Sequence, residues 1–190
     1  ASDKKFVIDM VTRLFLESED LGSNFEEQSI YWNDDMEYVV VMIEKTLRKF
    51  KPEDGENVLM MPLFKNREDE DFVKILFRKT ILHTGQNSEL IDRNTTNWEI
   101  ERIALMDILV MQLAITEIMV FPEIPVKVTL NEYIEIAKYY CTSKSSTFVN
   151  GILDNIVREI REKGLLTKTG KGLIGEISED PNTISIYDKN

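Results

Sequence analysis

The sequence has almost none of the residues that build disulfides, metal sites or catalytic triads: it contains one cysteine, Cys141, and one histidine, His83. A single cysteine cannot close a disulfide within the chain, and no second cysteine or histidine stands at metal-ligand spacing from it. We therefore expect no metal and no cofactor, and a reducing, cytoplasmic compartment. No serine or cysteine is placed as a nucleophile for His83, so this histidine is interpreted as a helix-end residue and no enzyme is predicted.

Long apolar runs are also absent. The most apolar segment, residues 103–119, is interrupted by Asp107, Gln112 and Glu117, each of which is costly in hydrocarbon. Their spacing of five does not place them on one helix face, so buried, hydrogen-bonded structural roles are favoured over an acid–base group. Neither a membrane span nor a signal peptide is predicted. Because the chain begins Ala-Ser and its helical pattern starts at once, we expect it to be cut from a longer parent.

Positive charge is scarce, and a net charge of −11 repels the phosphates of nucleic acid. The excess of negative charge is unevenly distributed along the chain. Residues 1–71 hold nine Lys/Arg against eighteen Asp/Glu, whereas residues 72–190 hold fourteen against sixteen. The acidic N-terminal part is therefore interpreted as a solvated or protein-facing surface, and the nearly neutral remainder leaves room for a local basic patch.

Helical periodicity is what the sequence does contain. It predicts an all-α bundle of about seven helices, with no strand before the tail. Thr129 and Glu132 have the spacing of a capping box, Asn33 is a candidate N-cap, and Ser145 or Ser146 could cap the last helix. The expected helices cover residues 6–16, 34–50, 70–83, 88–92, 100–119, 130–140 and 146–164.

Two glycine patterns have competing interpretations. Gly170, Gly172 and Gly175 spell G-x-G-x-x-G, but the pattern follows a helix and precedes none, which disfavours a dinucleotide site. Gly151, next to Asn150, lies inside the last predicted helix, where glycine costs about 1 kcal/mol relative to alanine. Close helix packing is favoured as its reason, with the approach of a ligand or RNA backbone as the alternative.

Three runs in a fixed order carry a family resemblance: NWEIERIALMDILVMQLAITEI, IPVKVTLNEYIEIAKYY and SSTFVNGILDNI. They resemble the C-terminal half of the NusB family in a tryptophan before an arginine, an Asp helix ending in Ala-x-x-Glu, an Ile-Pro-x-Lys-Val turn, Asn-Glu, Ala-Lys and Phe-Val-Asn-Gly. The match covers roughly residues 95–160 and extends back to about residue 72. It implies two small packed helical subdomains, without a catalytic site.

We divide the chain into an acidic, divergent helical part over residues 1–71, a core that carries the resemblance over residues 72–164 and a polar tail over residues 165–190. The Gly, Lys, Thr and Asp content of the tail predicts loose order. It implies that Tyr140 and Phe148 are aromatic contacts to RNA. Lys144 lies in the turn between them, where the family often has an acid. The RNA-binding set expected from the resemblance is Tyr140, Lys144, Phe148, Asn150 and Gly151.

The resemblance also implies function and partners. NusB-like proteins pair with the ribosomal protein NusE, bind single-stranded boxA-type RNA and support antitermination, chiefly on ribosomal RNA operons, with RNA polymerase reached only indirectly. Two family arginines are absent at Ile108 and Gln112, and the arginine-rich N-terminal motif is missing. The alternatives are an accessory module related to ribosomal RNA cytosine methyltransferases and a protein-only adaptor. Dimers occur in the family, so a homodimer is a further alternative.

Overall fold

A computed structural model of the chain describes residues 2–51, 53, 55, 60–95 and 103–176. Over these residues the all-α prediction is confirmed, with eight α-helices where about seven were expected. No described helix is long and apolar enough to cross a membrane. Trp98, the start of the predicted helix at Ile100, and residues 177–190 lie outside the described residues. The helices are α1 (Ser2–Glu17), α2 (Glu19–Gln28), α3 (Trp32–Lys49), α4 (Arg67–Leu82), α5 (Thr84–Asn94), α6 (Leu105–Val120), α7 (Val126–Tyr140) and α8 (Ser145–Glu162).

The chain divides into two compact units, residues 1–67 and residues 68–190, whereas the sequence placed this border after residue 71. In the first unit α1 packs on α3, and α2 contacts both. Its N-terminal Lys4 donates hydrogen bonds from Nζ to the carbonyls of Arg48 (2.6 Å) and Phe50 (2.9 Å), so a positive charge closes the negative end of α3.

Helix α6 is the centre of the second unit, where it contacts α5, α7 and α8. Apolar side chains lie on nearly every face of α6, so the helix can be buried among its three neighbours. Met111, Ala114 and Ile115 are fully buried. From α8 the apolar row that includes Val149, Leu153 and Ile156 packs into the same core. Helix α4 approaches the far end of α6, where the rings of Phe72 and Phe121 lie 4.7 Å apart.

Asp107, Gln112 and Glu117, which interrupt the apolar pattern of α6, are buried, and each bonds to a different neighbouring helix. Ser145 of α8 donates to Asp107 Oδ2 at 3.0 Å, and Gln112 donates to Ser88 of α5 at 3.0 Å. Thr129 and Tyr133 of α7 donate to the two oxygens of Glu117 at 2.8 and 2.9 Å. Residues that are five positions apart on a helix differ in direction by about 140° around its axis. The predicted structural roles are confirmed: these side chains connect α6 to all three partners.

Local expectations were wrong at three helix starts. Helix α7 begins at Val126 behind Pro125, and Thr129 is buried as the partner of Glu117 instead of capping the helix. No side-chain cap is found at the start of α3 or α8 in the described part of the chain, so neither Asn33 nor a serine has that role. Helix α2 was missed altogether, although Ser18 caps it by accepting from Leu21 N.

The expected loose order of the tail is corrected for residues 165–176, which we call the C-terminal strap. Lys168 donates from Nζ to the carbonyls of Ile118 (2.9 Å) and Phe121 (3.1 Å), capping the negative end of α6. Thr169 N donates to Pro122 O at 2.9 Å. The next turn, Gly170–Leu173, is a 3₁₀ helix that brings buried Gly172 against Pro122.

The strap also accounts for the glycine motif. A Cβ built on Gly172 would lie 2.0 Å from the Pro122 carbonyl oxygen, so only glycine fits at this contact. Gly170 and Gly175 have φ of 52° and 87°, which side chains disfavour. Arg161 closes the strap with two hydrogen bonds to the carboxylate of Glu176, at 2.8 and 3.0 Å. The glycines serve backbone geometry, in line with the disfavoured dinucleotide site.

Candidate nucleic-acid interface

The short turn between α7 and α8 is connected to α6 by a chain of hydroxyl groups. Ser145 donates to Asp107 Oδ2, and its own oxygen lies 2.8 Å from the hydroxyl of Thr142. Because the proton of Ser145 is directed at the carboxylate, Thr142 is the donor in the second hydrogen bond. The turn is therefore connected to the buried first turn of α6 through Ser145, the first residue of α8.

A cavity of about 350 Å³ opens at this turn, and we call it the turn cavity. It lies where the first turns of α6 and α8 meet, and neither has a side-chain cap among the described residues. Uncapped first-turn N–H groups and the positive ends of two helix dipoles favour negative charge at such a position. The turn cavity is lined by Ile103, Ala104, Asp107, Thr142, Lys144, Ser145 and Phe148.

The structure brings three of the five predicted RNA residues onto one line along α8. A helix turns about 100° per residue, so Lys144, Phe148 and Gly151 fall on one stripe, which we call the α8 stripe. Phe148 is half-buried and packs against the core, whereas Lys144 is exposed, and both line the turn cavity. An aromatic face beside a positive charge is the combination that binds single-stranded nucleic acid.

The explanation of Gly151 by close helix packing is wrong. Gly151 is exposed, and a Cβ built on it meets no described atom within 4 Å. No described helix therefore requires a glycine here, and among the described residues the bare backbone faces open space. The ligand-approach alternative is the one left by this geometry.

The other two predicted residues lie apart from the turn cavity. Asn150 is turned about 100° from Gly151 around the helix and donates to Asp154 Oδ2 at 3.3 Å. Tyr140, the last residue of α7, is half-buried and does not line the turn cavity. Exposed Asn155, one turn beyond Gly151, continues the stripe more directly than either of them.

Charge in the turn cavity has both signs. Lys144 is positive and exposed, whereas Asp107 is buried, and only its Oδ2 has a hydrogen-bond partner among the described residues. Burial raises the pKa of the neighbouring Cys141 thiol to about 12, and the Asp107 carboxylate contributes to the same shift. The thiol therefore stays protonated at neutral pH and is a poor nucleophile.

Sequence reasoning missed the side of this site that α6 supplies. Asp107 and Ser145 are separated by 38 residues in sequence, and no local pattern predicts their hydrogen bond. A signal was present for Asp107, because an acid on an otherwise apolar helix needs a partner. The identity of that partner required the fold.

Comparison with known proteins gives the family. The family model described as "NusB family" matches residues 38–158. The transcription antitermination protein NusB of Salinibacter ruber is 40% identical over 139 residues, which cover 70% of this chain and 87% of that protein. The chain belongs to the NusB family. The NusB of Chloroherpeton thalassium is 42% identical over 105 residues, covering 55% of this chain and 50% of that protein. A solved structure of T. maritima NusB is 33% identical, covers 56% of this chain and 77% of that chain, and has a TM-score of 0.49.

The NusB match extends further than the motifs alone indicated. It begins at residue 38, inside α3, and so includes part of the acidic segment that the motifs did not align. It ends at residue 158 in α8, beyond the α8 stripe. The turn cavity and the whole stripe therefore lie within the family match.

Proposed function

We propose that this NusB-family chain is a non-catalytic transcription antitermination factor that binds single-stranded boxA-type RNA together with the ribosomal protein NusE. The observation that carries the proposal is the turn cavity, where Lys144 and Phe148 meet at the uncapped starts of two helices. The names of the relatives support the biological role, and the geometry of the turn cavity supports an RNA contact there.

Each part of this face has a distinct task. Phe148 offers a ring on which a base can stack, while its packing against the core keeps the ring oriented. Lys144 and the helix starts attract the phosphate beside that base. Exposed Gly151 lets the sugar–phosphate backbone run close to the helix, where any side chain would hold it away. Tyr140 and Asn150 are proposed as flanking contacts only.

A protein-only adaptor is the second candidate, and the acidity of residues 1–71 favours it. Gln112 occupies a position where the family resemblance implies an arginine, and here it is buried and bonded to Ser88. It therefore offers no charge to RNA. A chain with fewer phosphate contacts binds RNA more weakly and with a smaller dependence on salt.

Fluorescence anisotropy of a labelled boxA-type RNA, with and without NusE at two salt concentrations, separates these candidates. We expect binding that weakens with salt and tightens with NusE. Lys144→Ala should reduce the logarithmic salt slope by about 0.7, as for one lost contact to a single strand. Exposed Lys127 at the start of α7 lies outside the turn cavity, so Lys127→Ala is the matched control.

The aromatic contact is tested with Phe148→Leu, which keeps an apolar side chain in the core but removes the stacking face. Affinity should fall by about tenfold, with the thermal midpoint nearly unchanged. If the chain binds the RNA neither alone nor in the presence of NusE, the antitermination proposal fails. Binding of NusE without any effect on RNA would favour the adaptor.

A further inference from the structure

Asp107, which lines the turn cavity, carries a hydrogen-bond acceptor with no partner among the described residues. The residue is 6% exposed, and its Oδ2 accepts from Ser145. Its Oδ1 is buried and has no hydrogen-bond partner among the described residues. Folded proteins rarely leave such an atom unpaired, because it has lost water without gaining a donor. An unpaired acceptor on a residue that lines a cavity is a place for a donor from a ligand.

Among the described residues, the surroundings offer Oδ1 no strong donor. The nearby Cys141 thiol interacts with the Asp107 carboxylate, but a thiol is only a weak donor. The hydroxyl of Thr142 is directed at Ser145, and the proton of Ser145 is already given to Oδ2. A strong hydrogen bond to Oδ1 therefore requires an N–H or O–H group from outside the described residues.

The lining of the turn cavity indicates which donor fits. Ile103, Ala104 and Phe148 give it apolar walls, and its volume of about 350 Å³ is in the range of small-ligand pockets. A flat, largely apolar group with a polar edge would stack on Phe148 and reach the carboxylate with that edge. A nucleobase has this shape, and acidic side chains accept from the exocyclic amino group of cytosine.

We propose that Asp107 is a specificity-determining residue, whose free oxygen accepts a hydrogen bond from the amino group of a base in the turn cavity. This inference rests on the RNA-binding function proposed above and adds a base preference to it. Cytosine, with its N4 amino group, is favoured over uracil, which presents a carbonyl oxygen at the same place. The two oxygens would repel each other, so uracil is excluded by the same carboxylate that accepts cytosine.

The test uses the full chain at low salt with fluorescein-labelled twelve-residue oligocytidylate and oligouridylate, measured by anisotropy. The wild-type chain should bind the cytidine oligomer about tenfold more tightly. In Asp107→Asn the amide oxygen can still accept from Ser145, while the amide nitrogen can donate to uracil, so the ratio should fall to about one. Glu162→Gln, an exposed neutralised acid in the last turn of α8, should keep the wild-type ratio.

A second measurement changes only the RNA, so it does not depend on the folding of a variant. Oligomers of N4-methylcytidine keep one N–H, whereas those of N4,N4-dimethylcytidine have none. Wild-type binding should survive the first methyl group and fall to the uridine level with the second.

The outcomes separate the two proposals. Binding of RNA with equal affinity for both oligomers, or a preference that survives both Asp107→Asn and dimethylation, overturns the base preference and leaves the RNA function standing. Absence of any RNA binding overturns both proposals together.

Discussion

The contact between Gly172 and Pro122 gives a sharp test of the C-terminal strap. An alanine at position 172 would place its Cβ 2.0 Å from the Pro122 carbonyl oxygen, with the Pro122 carbonyl carbon at 3.0 Å and the Glu123 carbonyl carbon at 3.2 Å. All three obstacles are backbone atoms of one turn, so no side-chain rotation relieves the clash. The strap or the turn must move by more than 1 Å to reach an ordinary contact distance, on the order of the shifts that overpacking causes.

Moving the strap also breaks the interactions that hold it. Overpacking costs about 1–3 kcal/mol, and loss of the Thr169–Pro122 hydrogen bond adds roughly 1 kcal/mol. We therefore expect Gly172→Ala to lower the free energy of unfolding by about 2–4 kcal/mol. In a chain of this length each kcal/mol shifts the melting temperature by about 2–4 °C, so a clear drop should be visible by circular dichroism.

Gly151→Ala is the matched control, since it makes the same change in an open, helical position. Its Cβ meets no described atom within 4 Å, and alanine is the better helix former, so stability should rise by up to about 1 kcal/mol. An unchanged melting temperature in Gly172→Ala would refute the seating of the strap against Pro122. A large loss in Gly151→Ala would refute the open position assigned to that glycine.

Two further predictions concern buried and paired carboxylates. Tyr133→Phe removes the hydroxyl that donates to buried Glu117 and should cost about 1–3 kcal/mol in urea unfolding, whereas Tyr31→Phe, at a residue that is 72% exposed, should cost almost nothing. Hydrogen bonds from Lys163 and Asn94, with Arg93 nearby, lower the pKa of Glu159 from 4.5 to about 2. The contribution of Glu159 to the free energy of unfolding is therefore complete above about pH 4.5 and is lost as the pH falls towards 2. The difference in stability between the wild-type chain and Glu159→Gln should shrink over that pH range. A difference that stays constant down to pH 2 would contradict the pairing.

The sequence predicted the helices that have a strong apolar pattern and missed what depends on weak or long-range signals. Helix α6 was predicted because apolar side chains fill almost all its faces. Helix α2 escaped because Gly22, Ser23 and Asn24 are weak helix formers, leaving only Leu21 and Phe25 as an apolar pattern. Tertiary contacts and the cap at its start support this helix, and neither is evident from the apolar period.

The start of α7 shows how a local motif can be satisfied elsewhere. Thr129 has the spacing of a cap with Glu132, but its hydroxyl is used by buried Glu117, twelve residues earlier in the chain. Proline at position 125 is itself compatible with a helix start, and that signal was the reliable one. A local pattern cannot choose between a neighbouring backbone N–H and a distant carboxylate.

Only the part of the candidate site that lies on and next to α8 could be predicted from the sequence. The family resemblance supplied Lys144, Phe148 and Gly151, which one helix places on one stripe. Asp107 entered only with the structure, because its role follows from packing α6 against the turn before α8. The packing explanation of Gly151 failed because helix periodicity does not show which faces are covered by neighbours.

The proposed position of RNA along the turn cavity and the α8 stripe can be tested by photo-crosslinking. A boxA-type RNA carrying 4-thiouridine at single positions would be irradiated with the chain and NusE, and the attached peptides mapped by mass spectrometry. We expect crosslinks in the segment from Tyr140 to Gly151, concentrated at Phe148 and lost in Phe148→Leu. Crosslinks confined to α1–α4, with none in that segment, would contradict it.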